Sequence, residues 1–233
     1  MAWGMFLAIP CPRKIWSESA RQKMLVCMPL VGLLAGGVWA GAWLLLRGAP
    51  GPVRAAVCAA APWLVTGFMH LDGYMDVCDA VLSRRDLATR QRILKDSHCG
   101  AFAVICMVLL AMGQWSLFLA AEDVSWLALL LIPAATRACA GLAVLGLRPM
   151  GTSQYAAMGP ARGGYGAALW VLLALSVGLP LWLDGSFGPL AAAVGYGLAV
   201  WYGFRNLDGM SGDISGFALT IGELCGCGAA ILW

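Results

Sequence analysis

Charge is scarce in this chain. Fifteen Lys or Arg and twelve Asp or Glu make up 12% of 233 residues, where soluble domains carry about a quarter. Such a composition excludes an ordinary soluble globule and a disordered chain. No dense Lys/Arg block is present, so nucleic acid is not an expected partner. The nine cysteines, at 11, 27, 58, 78, 99, 106, 139, 225 and 227, form no CxxC pair. Their odd number and lack of framework spacing argue against a disulfide scaffold. Internal repeats, linkers and low-complexity tracts are missing as well. A cleavable leader is not expected, because Arg13 and Lys14 follow the first apolar stretch instead of preceding it.

Apolar residues fill the space that charge leaves. Hydrophobic residues are 61% of the chain, and the mean hydropathy is +0.80. Continuous apolar runs, without the apolar–polar alternation of barrel strands, predict membrane-spanning helices. About seven spans are expected, near 24–46, 55–69, 101–121, 125–147, 166–183, 187–204 and 214–233, with the second one short and six or eight spans as alternatives. The expected fold is all-α: a polytopic integral membrane helix bundle forming one domain over 1–233. Lys and Arg concentrate on the cytoplasmic side of such bundles. With seven spans, segments 1–23, 70–99, 148–165 and 205–213 carry twelve of the fifteen basic residues. The opposite segments hold Arg47 and Arg54 with Glu122, Asp123 and Asp184. The N-terminus and the polar segment 70–100 are therefore expected to face the cytoplasm.

That segment opens with His70-Leu71-Asp72-Gly73-Tyr74-Met75-Asp76-Val77-Cys78-Asp79. On a helix, Asp72, Asp76 and Asp79 fall within about 60° of one another. Three like charges on one face repel, and a divalent cation turns the repulsion into attraction. Hard oxygen donors suit Mg²⁺ or Mn²⁺. An acidic solvated loop is the plainer alternative. Farther on, Lys95-Asp96-Ser97 abuts the next span and supplies base, acid and hydroxyl together. Carboxylates for a metal beside fixed positive charge are what a diphosphate needs. Arg84 and Arg85 read as topology anchors.

A third group is Ser211-Gly212-Asp213-Ile214-Ser215-Gly216, with Glu223 inside the last span. An intramembrane carboxylate needs a partner, and Arg137, also within a span, is a candidate. His70, His98, Cys78 and Cys99 match no zinc spacing. The loop 148–165, with Pro149, Gly151, Gly159, Pro160, Gly163 and Gly164, reads as turn chemistry or as a phosphate cradle.

Together these motifs resemble the cobalamin synthase family, also called adenosylcobinamide-GDP ribazoletransferases. Gly67 to Asp79 is similar to that family's G-x-x-H-L-D-G-x-x-D-x-x-D signature. Ile93-Leu94-Lys95-Asp96-Ser97 with Gly100 resembles its I-M-K-D-S-x-x-G element, and Ser211 to Gly216 with Gly222-Glu223-Leu224 its T-G-D-x-x-G and G-E-L. Ile9-Pro10-Cys11-Pro12 and Pro29-Leu30-Val31-Gly32 are like its I-P-V-P and P-x-x-G, and Arg137 falls where the family has a mid-chain Arg. The chain departs at Thr220, where a Glu is expected, at His98, where Arg is frequent, and at Tyr155-Ala156-Ala157, which keeps part of a Tyr-Ala-Arg stretch.

The resemblance implies a transferase joining adenosylcobinamide-GDP to α-ribazole, or its 5′-phosphate, with release of GMP and with Mg²⁺ as cofactor. It implies a multi-pass protein of the cell inner membrane, in contact with lipid. On that reading Asp72, Asp76, Asp79 and Asp213 are metal ligands. Lys95 stabilises phosphate charge, and Asp96 or His70 takes the proton of the attacking ribose hydroxyl. Arg137, Ser97, Gly212 and Glu223 are substrate-binding candidates. A CDP-alcohol phosphatidyltransferase is disfavoured, because Asp72-Gly73-Tyr74-Met75 continues as Asp76-Val77 instead of Ala-Arg. A cation transporter would rest on Arg137 and Glu223, yet most acids lie at one face.

Overall fold

The computed structural model describes residues 1–11, 17, 21–151, 153, 155 and 164–233. Pro12, Arg13, Lys14, Ala156, Ala157, Gly159, Pro160, Arg162 and Gly163 lie outside the described residues. Much of the 148–165 loop, read from sequence as turn chemistry or a phosphate cradle, therefore lies outside the described residues.

Among the described residues the chain is helical, with a single isolated backbone bridge between Pro149 and Met210 and no strand. The helices are α1 (Ala2–Phe6), α2 (Arg21–Leu45), α3 (Gly51–Val65), α4 (Met69–Leu82) and α5 (Leu87–Ile93), then α6 (Ala101–Ala120), α7 (Trp126–Gly146), α8 (Tyr165–Leu183), α9 (Gly188–Leu207) and α10 (Gly212–Leu232). The all-α membrane bundle is thus borne out.

Seven spans are not confirmed. Five helices are long and apolar enough to cross a bilayer: α2, α6, α7, α8 and α10. A sixth arises if α3 and α4 count as one broken span, bent by 92°. At 15 residues α3 falls short of the roughly 20 that a hydrocarbon core requires. Helix α9 has the length, but its Gly, Tyr, Arg and Asn residues lower its hydropathy.

The break between α3 and α4 is local chemistry. Gly67 and Phe68 both adopt left-handed backbone, at φ 60° and 62°. Glycine takes that conformation freely, whereas a side chain such as Phe68 strains in it by about 1–2 kcal/mol. Two such residues in succession end one helix and turn the next.

Close approach of helices depends on missing side chains. A Cβ at Gly73 of α4 would stand 2.9 Å from the Asp213 carbonyl oxygen, and one at Gly216 of α10 would stand 3.0 Å from that of His70. Small residues at such contacts let backbones touch, which drives helix association where lipid is as apolar as leucine. Helix α10 thereby sits between α4 and α9, and α7 packs against α2. At one end of the bundle Arg47 pairs with Asp123 at 3.6 Å, and Ser125 Oγ donates to Asp184 at 2.5 Å. The other end gathers Arg90, Lys95, Arg148, Asp208 and the acidic face of α4.

Candidate active site

The acidic segment folds as a helix, as its spacing predicts. Asp72, Asp76 and Asp79 all lie on α4, and all three line a cavity of about 230 Å³. The rest of its wall comes from the connection between α5 and α6: Asp96, Ser97, His98, Cys99 and Gly100. Asp76 is half-buried and lies in the electrostatic field of Asp72, Asp213 and Asp79. Gly100 is packed against Asp79, so that a Cβ there would overlap the Asp79 carboxylate.

A second cavity of about 280 Å³ adjoins the acidic face through Asp213. Lys95, Ser153, Ser211, Gly212, Asp213, Leu94 and Met150 line it. Ser211 caps α10, its Oγ accepting the Ile214 N–H at 3.2 Å. Lys95 and Asp213 therefore share one wall system, although they are far apart in the chain.

The segment bearing Lys95, Asp96 and Ser97 is held in place. Asp86 caps α5, accepting from the Thr89 N–H at 3.0 Å and the Thr89 hydroxyl at 2.8 Å, which keeps its carboxyl below the usual range. Arg90 Nη1 donates to Asn206 Oδ1 at 3.0 Å, and Gln91 Nε2 to the Leu207 carbonyl at 2.8 Å. These two bonds tie α5 to the end of α9. Asp96 Oδ1 lies 2.6 Å from His98 Nδ1 and accepts the His98 N–H at 3.1 Å. These bonds hold the Asp96 carboxyl below its ordinary value.

His70, Arg137 and Glu223 form a separate cluster inside the bundle. Arg137 Nη1 meets Glu223 Oε1 at 2.5 Å and donates to the Pro133 carbonyl at 3.1 Å. Arg137 Nη2 lies 3.5 Å from His70 Nδ1. The pair expected from the sequence is therefore formed. None of the three lines either polar cavity. Thr220, the departure noted above, donates its hydroxyl to the His70 carbonyl at 3.3 Å and to the Gly216 carbonyl at 3.0 Å.

Of the site residues expected from sequence, the structure brings Asp72, Asp76, Asp79, Asp96 and Ser97 to one cavity and Lys95, Gly212 and Asp213 to its neighbour. It groups His70, Arg137 and Glu223 elsewhere. Sequence reasoning missed Ser153, Met150 and the Arg90–Asn206 clamp, for which no local pattern existed. The capping role of Ser211 was legible, since a serine opening an apolar helical run is a cap signal.

The carboxylates supply the hard oxygen donors that Mg²⁺ takes. Among the described residues, no three His, Cys, Asp or Glu side chains stand already converged as a metal-binding set. In donor chemistry the α4 face with Asp213 fits such an ion, and its mutual repulsion gives the ion something to relieve.

The fold and cavities define a multi-pass helical membrane protein with an acidic cleft at one end, walled in part by lysine and serine. Its family follows from comparison: the cobalamin-5-phosphate synthase model matches residues 1–231, and the chain belongs to that family. It is 32% identical over 237 residues to the adenosylcobinamide-GDP ribazoletransferase of Clostridium perfringens, covering 97% of this chain and 94% of the relative. The protein of that name from Ralstonia pickettii is 36% identical over 248 residues, covering 100% and 92%. That from Halalkalibacterium halodurans is 40% identical over 146 residues, or 59% and 55%. No solved structure matches the chain.

Proposed function

We propose that this protein joins adenosylcobinamide-GDP to α-ribazole or its 5′-phosphate, releasing GMP and forming adenosylcobalamin or its 5′-phosphate. The observation that carries the reading is the shared wall of carboxylates and lysine: Asp72, Asp76 and Asp79 face one cavity, and Lys95 and Asp213 the next. The relatives' name supplies the substrates.

The ribose hydroxyl oxygen attacks the phosphorus on the cobinamide side of the diphosphate. A new P–O bond forms, the bond to the bridging oxygen breaks, and GMP leaves with that oxygen. Asp72, Asp76, Asp79 and Asp213 would hold Mg²⁺, which when bound neutralises charge on the diphosphate oxygens. Lys95 adds a fixed positive charge where charge grows in the transition state. Ser97 and the N–H of Gly212 donate to phosphate oxygens. Asp96 takes the hydroxyl proton, since it lines the acidic cavity whereas His70 does not. Arg137 and Glu223 act by holding α7, α10 and the first turn of α4 in register.

The protein lies in the cell inner membrane with this end toward the cytoplasm, where nucleotides and Mg²⁺ are plentiful. The grouping of basic residues supports that orientation.

The test is GMP release. Purified protein in lipid is given adenosylcobinamide-GDP, α-ribazole and Mg²⁺, with and without EDTA, and products are separated by chromatography. Metal-dependent GMP matched by a cobalamin product is expected. A folded, inserted sample that releases no GMP would overturn the reading.

A further inference from the structure

Among the described residues, a third cavity has no part in the reaction. It encloses about 360 Å³ among α7, α8 and α9, with Cys139, Leu147, Trp170, Gly197, Trp201 and Phe204 in its walls. Its lining is almost wholly apolar, and none of the residues assigned to the reaction contributes to it. Helix α8 buries only Leu169, Ser176 and Pro180, so this side of the bundle faces outward along its length. Trp170 and Trp201 are 63% and 61% exposed.

The mouth of the groove is charged. Leu147 and Phe204 lie at the end of the bundle that holds Arg148 and Arg205. Arg148 is committed: its Nη2 meets Asp208 Oδ1 at 2.5 Å. Arg205 is not. Its Cζ stands 5.9 Å from the centre of the Trp201 ring, and among the described residues no carboxylate pairs with it. An apolar slot that ends at an unpaired guanidinium has the charge pattern of one molecule class: a hydrocarbon tail carrying an anionic head. Guanidinium binds phosphate oxygens through its planar fork. A partner helix would have to bring its own carboxylate to Arg205, whereas every anionic phospholipid carries its phosphate beside its acyl chains.

We propose that this groove is a phospholipid site. One acyl chain of an anionic phospholipid lies between α8 and α9, and its phosphate rests on Arg205. Occupancy fills the gap between helices that otherwise meet weakly, and it does so whatever the reaction at the acidic cleft.

Gly197 provides the test. A Cβ there meets nothing within 4 Å, so a larger side chain enters the groove without displacing backbone. Wild type, Gly197→Phe and Arg205→Gln are placed in nanodiscs of phosphatidylglycerol and phosphatidylcholine, released in the mass spectrometer, and the retained lipids counted. Wild type should keep one phosphatidylglycerol, preferred about fivefold, the ratio that about 1 kcal/mol per basic residue gives. Arg205→Gln should retain lipid but lose the preference. Gly197→Phe should lose the retained lipid. Arg205 is exposed, so its variant decides the question even if Gly197→Phe fails to fold. Equal retention of the two lipids by wild type, or an unchanged preference in Arg205→Gln, would overturn the proposal. A wild-type dimer that Gly197→Phe splits without changing the lipid count would also overturn it, and would assign the groove to a second copy.

Discussion

Arg137 and Glu223 meet at 2.5 Å in the middle of the bundle, with side chains only 2% and 8% exposed. The pair joins α7 to α10, and the approach of Arg137 to His70 at 3.5 Å extends the link to α4. Removing one partner strands the other charge away from water. Glu223→Leu or Arg137→Met alone should destabilise the protein by about 3–5 kcal/mol. Arg137→Met with Glu223→Leu should recover most of that loss, because apolar replacements of similar volume leave no stranded charge. Thermal unfolding in detergent of the two single variants and the double variant measures the coupling. Strictly additive losses would show that the pair is not energetically linked.

The contact between α4 and α10 gives a second expectation. A Cβ on Gly73 would lie 2.9 Å from one backbone atom of Asp213 and 3.0 Å from another. Backbone cannot swing aside as a side chain can. Gly73→Ala should therefore cost about 1–3 kcal/mol, the usual penalty of overpacking. Gly113 of α6 is the control, since a Cβ there meets nothing within 4 Å. Gly113→Ala should be neutral or stabilising by up to about 1 kcal/mol. Equal melting temperatures for the two variants would refute the close-packing account.

Much of this site was legible beforehand. The spacing of Asp72, Asp76 and Asp79 is a helical period, and a period survives any tertiary arrangement. The pairing of Arg137 with Glu223 was legible as a candidate only, because a lone carboxylate inside an apolar span needs a partner and Arg137 was one possibility. The bend after α3 was not: two consecutive left-handed residues at Gly67 and Phe68 leave a helical hydrophobic pattern nearly unbroken. The count of seven stays unconfirmed for that reason, and because α9 alternates apolar residues with Gly and Tyr. The position of His70 was also hidden. It stands two residues from Asp72, yet helical geometry turns it toward α7 and α10, where it meets Arg137 and Thr220.

The acidic cavity itself is tested by Asp76→Asn. The change keeps volume and removes one charge from a cluster of four. Turnover should fall on the order of 10²–10³-fold, the scale of losing one electrostatic contributor to a transition state. The helical content and membrane insertion should stay as they are. Near-normal turnover would dismiss the carboxylate cluster as a metal site. Gly100→Ala probes the same cluster from outside, since its new Cβ would press on the Asp79 carboxylate. The Mg²⁺ concentration for half-maximal rate should rise about 10–100-fold, as when a supporting group is lost. An unchanged Mg²⁺ requirement would mean that Asp79 has no part in holding the ion.

The bond between His98 and Asp96 sets a pH dependence whose sign follows from the geometry. His98 donates to Asp96 from its backbone N–H at 3.1 Å, and its ring nitrogen stands 2.6 Å away. Donors stabilise the ionised carboxylate, so the folded Asp96 gives up its proton at lower pH than an unfolded one. Its contribution to stability is therefore present above the ordinary carboxylate range and is lost as pH falls through the folded value. Both side chains are largely exposed, so solvent screens the effect. The same bond tunes catalysis if Asp96 takes the hydroxyl proton, because a carboxylate held low stays ionised in mild acid. His98→Ala removes the ring and leaves the backbone donor. The acid limb of kcat/KM should then move to higher pH, toward an ordinary carboxylate, while the plateau near neutrality stays level. Asp96→Asn should abolish that plateau. If the acid limb stays fixed in His98→Ala, a carboxylate other than Asp96 accepts the proton, and the α4 cluster becomes the place to look for it.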